Sequence, residues 1–341
     1  MTKPKLFETV RQTFEELTDQ GLPGAIIGVC WPSGEYVRAF GVADLATSTP
    51  MRVDMRSRIG SVSKLVVAHV TLRLIDEGIL GLDSAISAYV DDVPNGSKIT
   101  LRHLGQHRSG LREPLENRSF RSRLANDPKK PIPLDDTLAA AFELSALASP
   151  GELTAYSNAN ALLLAKACEA ATGQPFPALA DRYLADPLGL VPWRYEEESD
   201  TRGYRYAGRH SIIAYGTNFI DASHVNPAWS GAAGAFTSEV DDLLKLAPYL
   251  IGGEGLSASS RTILTDFAPP DRWGNSFGFL LAKTDRSIGH AGDIHGYSAF
   301  LARDLTGQRT VAVMANLANL KSKSNPAQIL GLKVLDQLRE D

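Results

Sequence analysis

The chain has 341 residues, of which 43% are hydrophobic and 22% are charged, and its formal net charge is −4. These values predict one large or two smaller globular units and give no reason to expect a nucleic acid or an acidic membrane as a partner. No stretch approaches the roughly 18 apolar residues of a membrane span, and residues 1–12 lack a signal-peptide core, so we expect a cytoplasmic protein. Cys30 and Cys168 are expected to be reduced thiols.

Hydrophobic spacing predicts strands near both ends of the chain and helices in its middle. The apolar runs Ala25–Trp31 and Tyr36–Val42 surround a Pro-Ser-Gly turn and indicate a hairpin. Further strands are predicted at Phe277–Ala282, Ser298–Ala302 and Thr310–Ala315. Helices are predicted at Phe7–Leu17, Ser61–Glu77, Leu101–Gln106, Leu134–Leu147, Ala159–Ala171, Phe176–Leu184, Ser238–Leu250 and Ile329–Leu338. This order suggests a sheet built from both chain ends with a helical insertion.

The segment Ser61–Lys64 places a hydroxyl and an amine three residues apart at the start of the apolar run Leu65–Leu74. In a helix, positions i and i+3 share one face, so the lysine amine can reach the serine oxygen. A buried lysine can lose its proton near neutral pH and activate a serine for nucleophilic attack. The spacing therefore indicates Ser61 as a nucleophile and Lys64 as its base.

The segment Tyr156–Asn158 stands just before a predicted helix. Tyr156 can relay a proton if a nearby ammonium lowers its pKa, and the Asn158 amide can bind a substrate carbonyl and the lysine together. Taken alone, however, this segment is more typical of a helix N-cap.

The segment His290–Asp293 stands at the edge of a predicted strand, where Gly292 would let a substrate backbone lie against the strand. Taken alone, this segment is more typical of an ordinary turn, with Asp293 as a turn residue. The segment His107–Leu111 is interpreted as a helix that ends at a glycine.

Together, these residues resemble the motifs of the serine β-lactamase-like family, which includes class C β-lactamases, DD-peptidases, D-amino-acid amidases and aminopeptidases, and esterases. The resemblance extends from about Phe7 to Asn316. The matching segments are Gly60–Lys64, Asp76–Gly78, Leu80–Asp83, His107–Leu111, Pro150-Gly151 with Tyr156–Asn158, Asp186–Leu190 and Gly289–Gly292.

The resemblance implies an α+β fold: an antiparallel sheet flanked by helices, with a helical region inserted. We expect residues 1–83 and 235–341 to form the sheet region, residues 84–234 to form the mainly helical region, and the active site to lie between them.

The resemblance also implies roles for individual residues. Ser61 would be the acylated nucleophile, Lys64 its base, and Tyr156 the relay to the leaving group. Asn158 would orient Lys64 and the substrate, and the backbone N–H groups of Ser61 and Asp293 would form an oxyanion hole, where each donor is typically worth roughly 3 kcal/mol.

The third motif departs from the family pattern. Ala291 stands where many relatives carry a hydroxyl that binds a substrate carboxylate, and His290 stands where many carry a charged lysine. Both changes disfavour a β-lactamase or a DD-peptidase and favour a small ester, an amide or a short peptide as substrate.

Of four alternatives to a Ser61 serine hydrolase, an acyltransferase and a binding protein remain open, and two other hydrolase types are disfavoured. An acyltransferase would use the same acyl-enzyme, and a non-catalytic binding protein could share the fold. An α/β-hydrolase would need Gly-x-Ser-x-Gly, which Gly296–Phe300 approaches without the final glycine. A metal hydrolase would need clustered ligands, which the scattered histidines do not suggest, and no cofactor or metal is expected.

Overall fold

The computed structural model describes residues 3–195, 198–207 and 218–339. Within these residues, an antiparallel sheet of eight strands has the order β3-β2-β1-β12-β11-β10-β9-β8. Two small two-stranded sheets pair β4 with β7 and β5 with β6. The strands are β1 (Gly24–Trp31), β2 (Gly34–Asp44), β3 (Thr49–Pro50), β4 (Ser57–Arg58), β5 (Tyr204–Ala207), β6 (Asn218–Asp221), β7 (Thr237–Ser238), β8 (Ser276–Phe277), β9 (Ala282–Lys283), β10 (Ser287–Ile294), β11 (Tyr297–Asp304) and β12 (Thr310–Ala315).

Most of the helices come from the middle of the chain. They are α1 (Lys3–Thr18), α2 (Ser63–Asp76), α3 (Leu101–Gly105), α4 (Arg118–Asn126), α5 (Leu134–Phe142), α6 (Asn158–Thr172), α7 (Phe176–Ala180), α8 (Asp186–Leu188), α9 (Gly231–Gly234), α10 (Val240–Leu250), α11 (Ala258–Leu264) and α12 (Pro326–Arg339). Short 3₁₀ turns lie at Gly60–Val62, Ile86–Ala88, Pro114–Glu116 and Ala228–Ser230, and a π-turn lies at Asp181–Ala185.

Strand β1, near the centre of the sheet, has an almost entirely apolar sequence because both of its faces are buried. Its residues alternate between two hydrophobic clusters: Ile27 and Val29 face α1 and α12, whereas Ile26 faces the cluster that holds α2 and α10. Because helices cover both faces, neither face needs polar residues. The expected architecture, an antiparallel sheet flanked by helices, is therefore confirmed, whereas the division at residues 83 and 235 stays a prediction.

The predicted elements agree with the structure except in three places. The helix predicted to reach Leu147 ends at Phe142, because Leu147 leaves the helix and donates its backbone N–H to Gly110 O at 2.9 Å. The helix predicted over Phe176–Leu184 changes into the π-turn after Ala180.

The strand predicted at Phe277–Ala282 is the third exception, and it is wrong. The chain makes a tight turn there, with Leu280 at a φ of 52° and Gly278 N donating to Leu281 O at 2.9 Å. Leu280 N donates instead to Gly105 O at 2.7 Å. An apolar run of this length is compatible with a buried turn as well as with a strand, because both remove its side chains from water.

The 3₁₀ turn Gly60–Val62 brings the sheet and the helices together. It leads directly into α2 and contacts both β10 and β11. Across the described ranges, every helix is too short or too polar to cross a lipid bilayer. The cytoplasmic location stays a prediction.

Candidate active site

Ser61 lies in the 3₁₀ turn that precedes α2, and Lys64 lies in the first turn of α2. The helical geometry brings Lys64 Nζ to 2.9 Å from Ser61 Oγ. Lys64 has no exposed surface, whereas Ser61 is half-buried and lines a cavity of about 620 Å³. The predicted pair therefore lies together, with the hydroxyl open to a substrate and the amine behind it.

Two carbonyl oxygens determine how Lys64 can face the serine. Lys64 Nζ donates to Asn158 Oδ1 and to Ala233 O, each at 2.7 Å. Carbonyl oxygens only accept, so these two contacts use both N–H groups of a neutral amine. The remaining lone pair then faces Ser61 Oγ and can accept the hydroxyl proton. In the ammonium form, the third N–H takes that position and Lys64 cannot act as a base.

The burial of Lys64 favours its neutral form. Burial lowers the pKa of Lys64 to about 7, although the nearby Glu113 carboxylate opposes this change. A large fraction of the protein therefore carries a neutral amine at neutral pH, as the sequence analysis expects for a buried lysine beside a serine.

Tyr156 reaches Ser61 from the helical region, just before α6. Its phenol oxygen lies 2.7 Å from Ser61 Oγ. The condition under which the sequence predicts a proton relay, a tyrosine pKa lowered by a nearby ammonium, is not met, and the relay stays a prediction. Burial raises the pKa of Tyr156 well above its ordinary value, and only its hydrogen bond with Ser61 opposes this rise. Because the phenol keeps its proton at neutral pH, it can donate to Ser61 Oγ or to a leaving group.

Asn158 is held in place by Glu113, a residue that the sequence analysis did not consider. The Glu113 carboxylate accepts from the Asn158 backbone N–H at 2.7 Å and from Asn158 Nδ2 at 2.9 Å. Oδ1 of Asn158 therefore faces Lys64. Burial raises the pKa of Glu113, whereas the Asn158 donors and the charge of Lys64 oppose that rise. The sequence signal that could have indicated Glu113 is its position two residues after the His107–Leu111 motif.

Two glycines let the nucleophile turn lie against β10. A Cβ on Gly292 would lie 2.0 Å from Ile59 O and 3.2 Å from Ser61 N, and a Cβ on Gly60 would lie 2.8 Å from Asp293 N. Gly60 also has a φ of 52°, which side chains disfavour. The space at Gly292 thus accommodates the protein's own backbone rather than a substrate backbone. The backbone nitrogens of Ser61 and Asp293 consequently meet at one junction.

Asp293 belongs to β10 and is not a turn residue, because the turn begins after Ile294. Asp293 lines the cavity and keeps part of its surface exposed to solvent. Desolvation by the surrounding protein raises the pKa of the Asp293 carboxyl, and the charge of Arg205 opposes this rise. A second acidic group thus lies close to the nucleophile.

His290 lines the cavity and is 6% exposed. Its Nδ1 lies 2.6 Å from the carbonyl oxygen of the neighbouring Ala291, so Nδ1 carries the proton. Burial, assisted by the charge of Lys64, lowers the pKa of His290 to about 3. His290 is therefore neutral at neutral pH and cannot replace the charged lysine of many relatives.

All the predicted site residues converge on this cavity. Ser61, Lys64, Tyr156 and Asn158 form one hydrogen-bonded group, and residues 290–293 line the opposite wall. Ser298, the serine of the rejected hydrolase motif, is 1% exposed and donates to Leu317 O at 2.8 Å. In the part of the chain that the structure describes, His, Cys, Asp and Glu side chains form no group of three that could hold a metal ion.

Comparison with known proteins gives curated relatives with different activities. Esterase EstB from Burkholderia gladioli is 34% identical over 189 residues, which cover 52% of this chain and 48% of the esterase. The D-aminopeptidase from Brucella anthropi is 32% identical over 182 residues, which cover 52% of this chain and 34% of the aminopeptidase. The chain thus spans about half the length of the first relative and a third of the second.

A solved structure matches over almost the whole chain. The D-amino acid amidase from Ochrobactrum anthropi SV3, complexed with D-phenylalanine, has a TM-score of 0.85. The match covers 98% of this chain and 99% of the amidase at 22% identity, and it therefore shows a common fold. The family model described as beta-lactamase matches residues 10–333. Because this match includes nearly the whole sequence, the chain belongs to the β-lactamase family.

Proposed function

We propose that this protein is a serine hydrolase that cleaves a small ester or amide through an acyl-enzyme on Ser61. The main support is the arrangement of Lys64, which lies 2.9 Å from Ser61 Oγ while Asn158 and Ala233 engage its other hydrogen-bonding positions. The names of the relatives, an esterase and a D-aminopeptidase, agree with this reaction class.

Acylation begins when Ser61 Oγ attacks the substrate carbonyl carbon and its proton passes to Lys64 Nζ. The carbonyl oxygen becomes an oxyanion, which the N–H groups of Ser61 and Asp293 would stabilise. This backbone pair is rigid because the glycine junction packs the two segments against each other.

Tyr156 then assists departure of the leaving group. The phenol gives its proton to the ester oxygen or amide nitrogen as the bond to carbon breaks, and the Lys64 ammonium returns a proton to the phenolate. The products are the released alcohol or amine and a Ser61 ester, with Lys64 and Tyr156 in their starting forms. Water then attacks the Ser61 ester with the help of the same proton-transfer groups, which releases the acid and regenerates Ser61.

The third motif favours substrates without a carboxylate near the scissile bond. His290, which stands where many relatives carry a charged lysine, lines the cavity and is neutral. The methyl group of Ala291 offers no hydroxyl to a carboxylate. These features support an ester, an amide or a short peptide rather than a penicillin or a carboxyl-terminal peptide.

The nucleophile is tested with a fluorophosphonate and mass spectrometry. We expect label on Ser61, and we expect Ser61→Ala to lower kcat by at least about three orders of magnitude without loss of folding. Ser63→Ala is the matched control, because Ser63 is fully buried two residues away. Label on Ser63 or Ser298 would refute the assignment, and failure of any label would favour a binding protein.

Hydrolysis and acyl transfer are separated by product analysis. A p-nitrophenyl ester is turned over with and without an added alcohol or primary amine. We expect the free acid as the main product in both cases. A dominant new ester or amide would instead establish an acyltransferase that uses the same acyl-enzyme.

A further inference from the structure

His107 has contacts on both sides of Tyr156. It follows α3, is fully buried, and has a φ of 54°, which non-glycine residues adopt rarely. Its carbonyl oxygen accepts from Ala155 N at 2.8 Å. Its Nδ1 accepts from Ser157 N at 3.3 Å. One residue thus holds the backbone immediately before and immediately after the tyrosine.

The His107 ring also packs against the tyrosine itself. The two ring centroids lie 4.7 Å apart, with an interplanar angle of 34°. Phe277 packs edge-on against the imidazole at a centroid distance of 4.8 Å, and its ring also lies 6.0 Å from the Tyr156 ring. The phenol that touches Ser61 therefore belongs to a packed aromatic cluster rather than to a free loop.

The protonation state of His107 is determined by its partners. A backbone N–H can only donate, so the bond from Ser157 shows that Nδ1 carries a lone pair. Asn160 Nδ2 lies 2.9 Å from the same nitrogen, and Ser109 Oγ in turn donates to Asn160 Oδ1. Burial is the main cause that holds the pKa of His107 well below its usual range, and a charge on the nearby Lys64 lowers it further. This hydrogen-bond network therefore requires a neutral His107 imidazole.

We infer that His107 is a positioning residue that holds the Tyr156 phenol at hydrogen-bonding distance from Ser61 Oγ. This inference rests on the proposed function, because it assigns His107 to the proton transfer at Ser61. His107 does not touch a substrate, since its side chain is fully buried behind the tyrosine. Its effect is on the geometry of the phenol, where a displacement of about 1 Å can cost about 100-fold in rate.

Two substitutions separate the parts of this contact. His107→Phe keeps a ring against Tyr156 but removes the nitrogen that accepts from Ser157. His107→Asn removes the ring but offers Oδ1 near the position of Nδ1, and asparagine tolerates a positive φ. We expect His107→Phe to lower kcat by about 10- to 100-fold at nearly constant KM, and His107→Asn to restore most of that loss.

The decisive measurement is a double-mutant cycle between His107→Phe and Tyr156→Phe. The readout is the rate at which a fluorophosphonate labels Ser61 in each variant. Without a phenol to position, His107→Phe should change the rate by less than about twofold. His69→Phe is the control, because His69 is also buried and its ring packs against Tyr249 with a centroid distance of 6.2 Å. We expect His69→Phe to leave kcat unchanged even if it lowers the melting temperature.

The outcomes distinguish the two proposals. Absence of label on Ser61 in the unaltered protein would overturn the proposed function. A normal label with an equal effect of His107→Phe in both backgrounds would overturn the positioning role alone. If His107→Phe does not fold, Asn160→Ala loosens the same imidazole with a smaller change and must show the same dependence on Tyr156.

Discussion

Replacement of Glu113 by glutamine should move the pH profile of the reaction without removing the base. The Glu113 carboxylate accepts two hydrogen bonds from Asn158, whose Oδ1 accepts from Lys64 Nζ. A negative charge at this distance favours the ammonium form of Lys64. Its removal therefore lowers the pKa of Lys64 further. Because the neutral amine is the active form, the acid limb of kcat/KM moves to lower pH.

The size of this shift follows from the geometry. Two hydrogen bonds of 2.7 and 2.9 Å, with one amide group between them, place the carboxylate at most about 8 Å from Nζ. At an effective dielectric constant of about 20, this separation corresponds to about 2 kcal/mol, or about 1.5 pKa units. Glu113 is partly exposed to solvent, which screens the interaction, so we expect a shift of about one pH unit.

The assay is kcat/KM for a p-nitrophenyl ester between pH 5 and about 9. The unaltered protein should show an acid limb near pH 7, because burial lowers the pKa of Lys64 to about 7. Glu116→Gln is the matched control, because Glu116 lies three residues away and pairs with Arg112 at 2.8 Å. An acid limb that stays in place or moves upward in Glu113→Gln would refute the coupling. Loss of the limb altogether would make Glu113 the base.

Three further predictions concern the same site. Lys64→Ala and Tyr156→Phe should each lower kcat severely. Because the two groups form one proton-transfer unit, the double variant should be little worse than the poorer single variant, and full additivity in log kcat would contradict this. Gly292→Ala places a Cβ 2.0 Å from Ile59 O and should slow Ser61 labelling by at least about 100-fold, so a normal labelling rate would disprove the close junction. The unaltered protein should prefer its best ester to nitrocefin by about 10- to 150-fold in kcat/KM, and Ala291→Thr should improve nitrocefin acylation more than ester hydrolysis. Nitrocefin turnover above that of the best ester would restore a β-lactamase.

The contact between Ser61 and Lys64 was predictable from the sequence because local helical geometry determines it. Ser61 and Lys64 are three residues apart on a helical turn, and no tertiary contact is needed to predict that they meet. The segment Tyr156–Asn158 makes both local and long-range contacts. Locally, Ser157 caps α6 and accepts from Ala159 N at 3.2 Å, as the N-cap interpretation expects. The same segment also contacts Lys64 through Asn158, so the N-cap interpretation is confirmed, whereas the catalytic interpretation stays a prediction.

The electrostatic state of the site was not accessible in this way. Whether His290 is charged depends on how deeply it is buried and on its distance from Lys64, and neither is visible in a motif. The same holds for Tyr156, whose pKa is raised by burial. The importance of Glu113 depends on its meeting Asn158 across 45 residues of chain. Such properties arise from packing, which a single sequence does not encode locally.

The pairing of β1 with β12 has a consequence for synthesis of the protein. Strand β1 ends at Trp31, and its partner begins only at Thr310. At roughly 10 residues per second, the ribosome completes this partner about half a minute after β1 has emerged. During that time Ser61 is present without the strand that carries Asp293, and the apolar edge of β1 has nothing to pair with. Until the last strands are made, β1 keeps an unpaired apolar edge that favours self-association, and the junction between Ser61 and Asp293 cannot form.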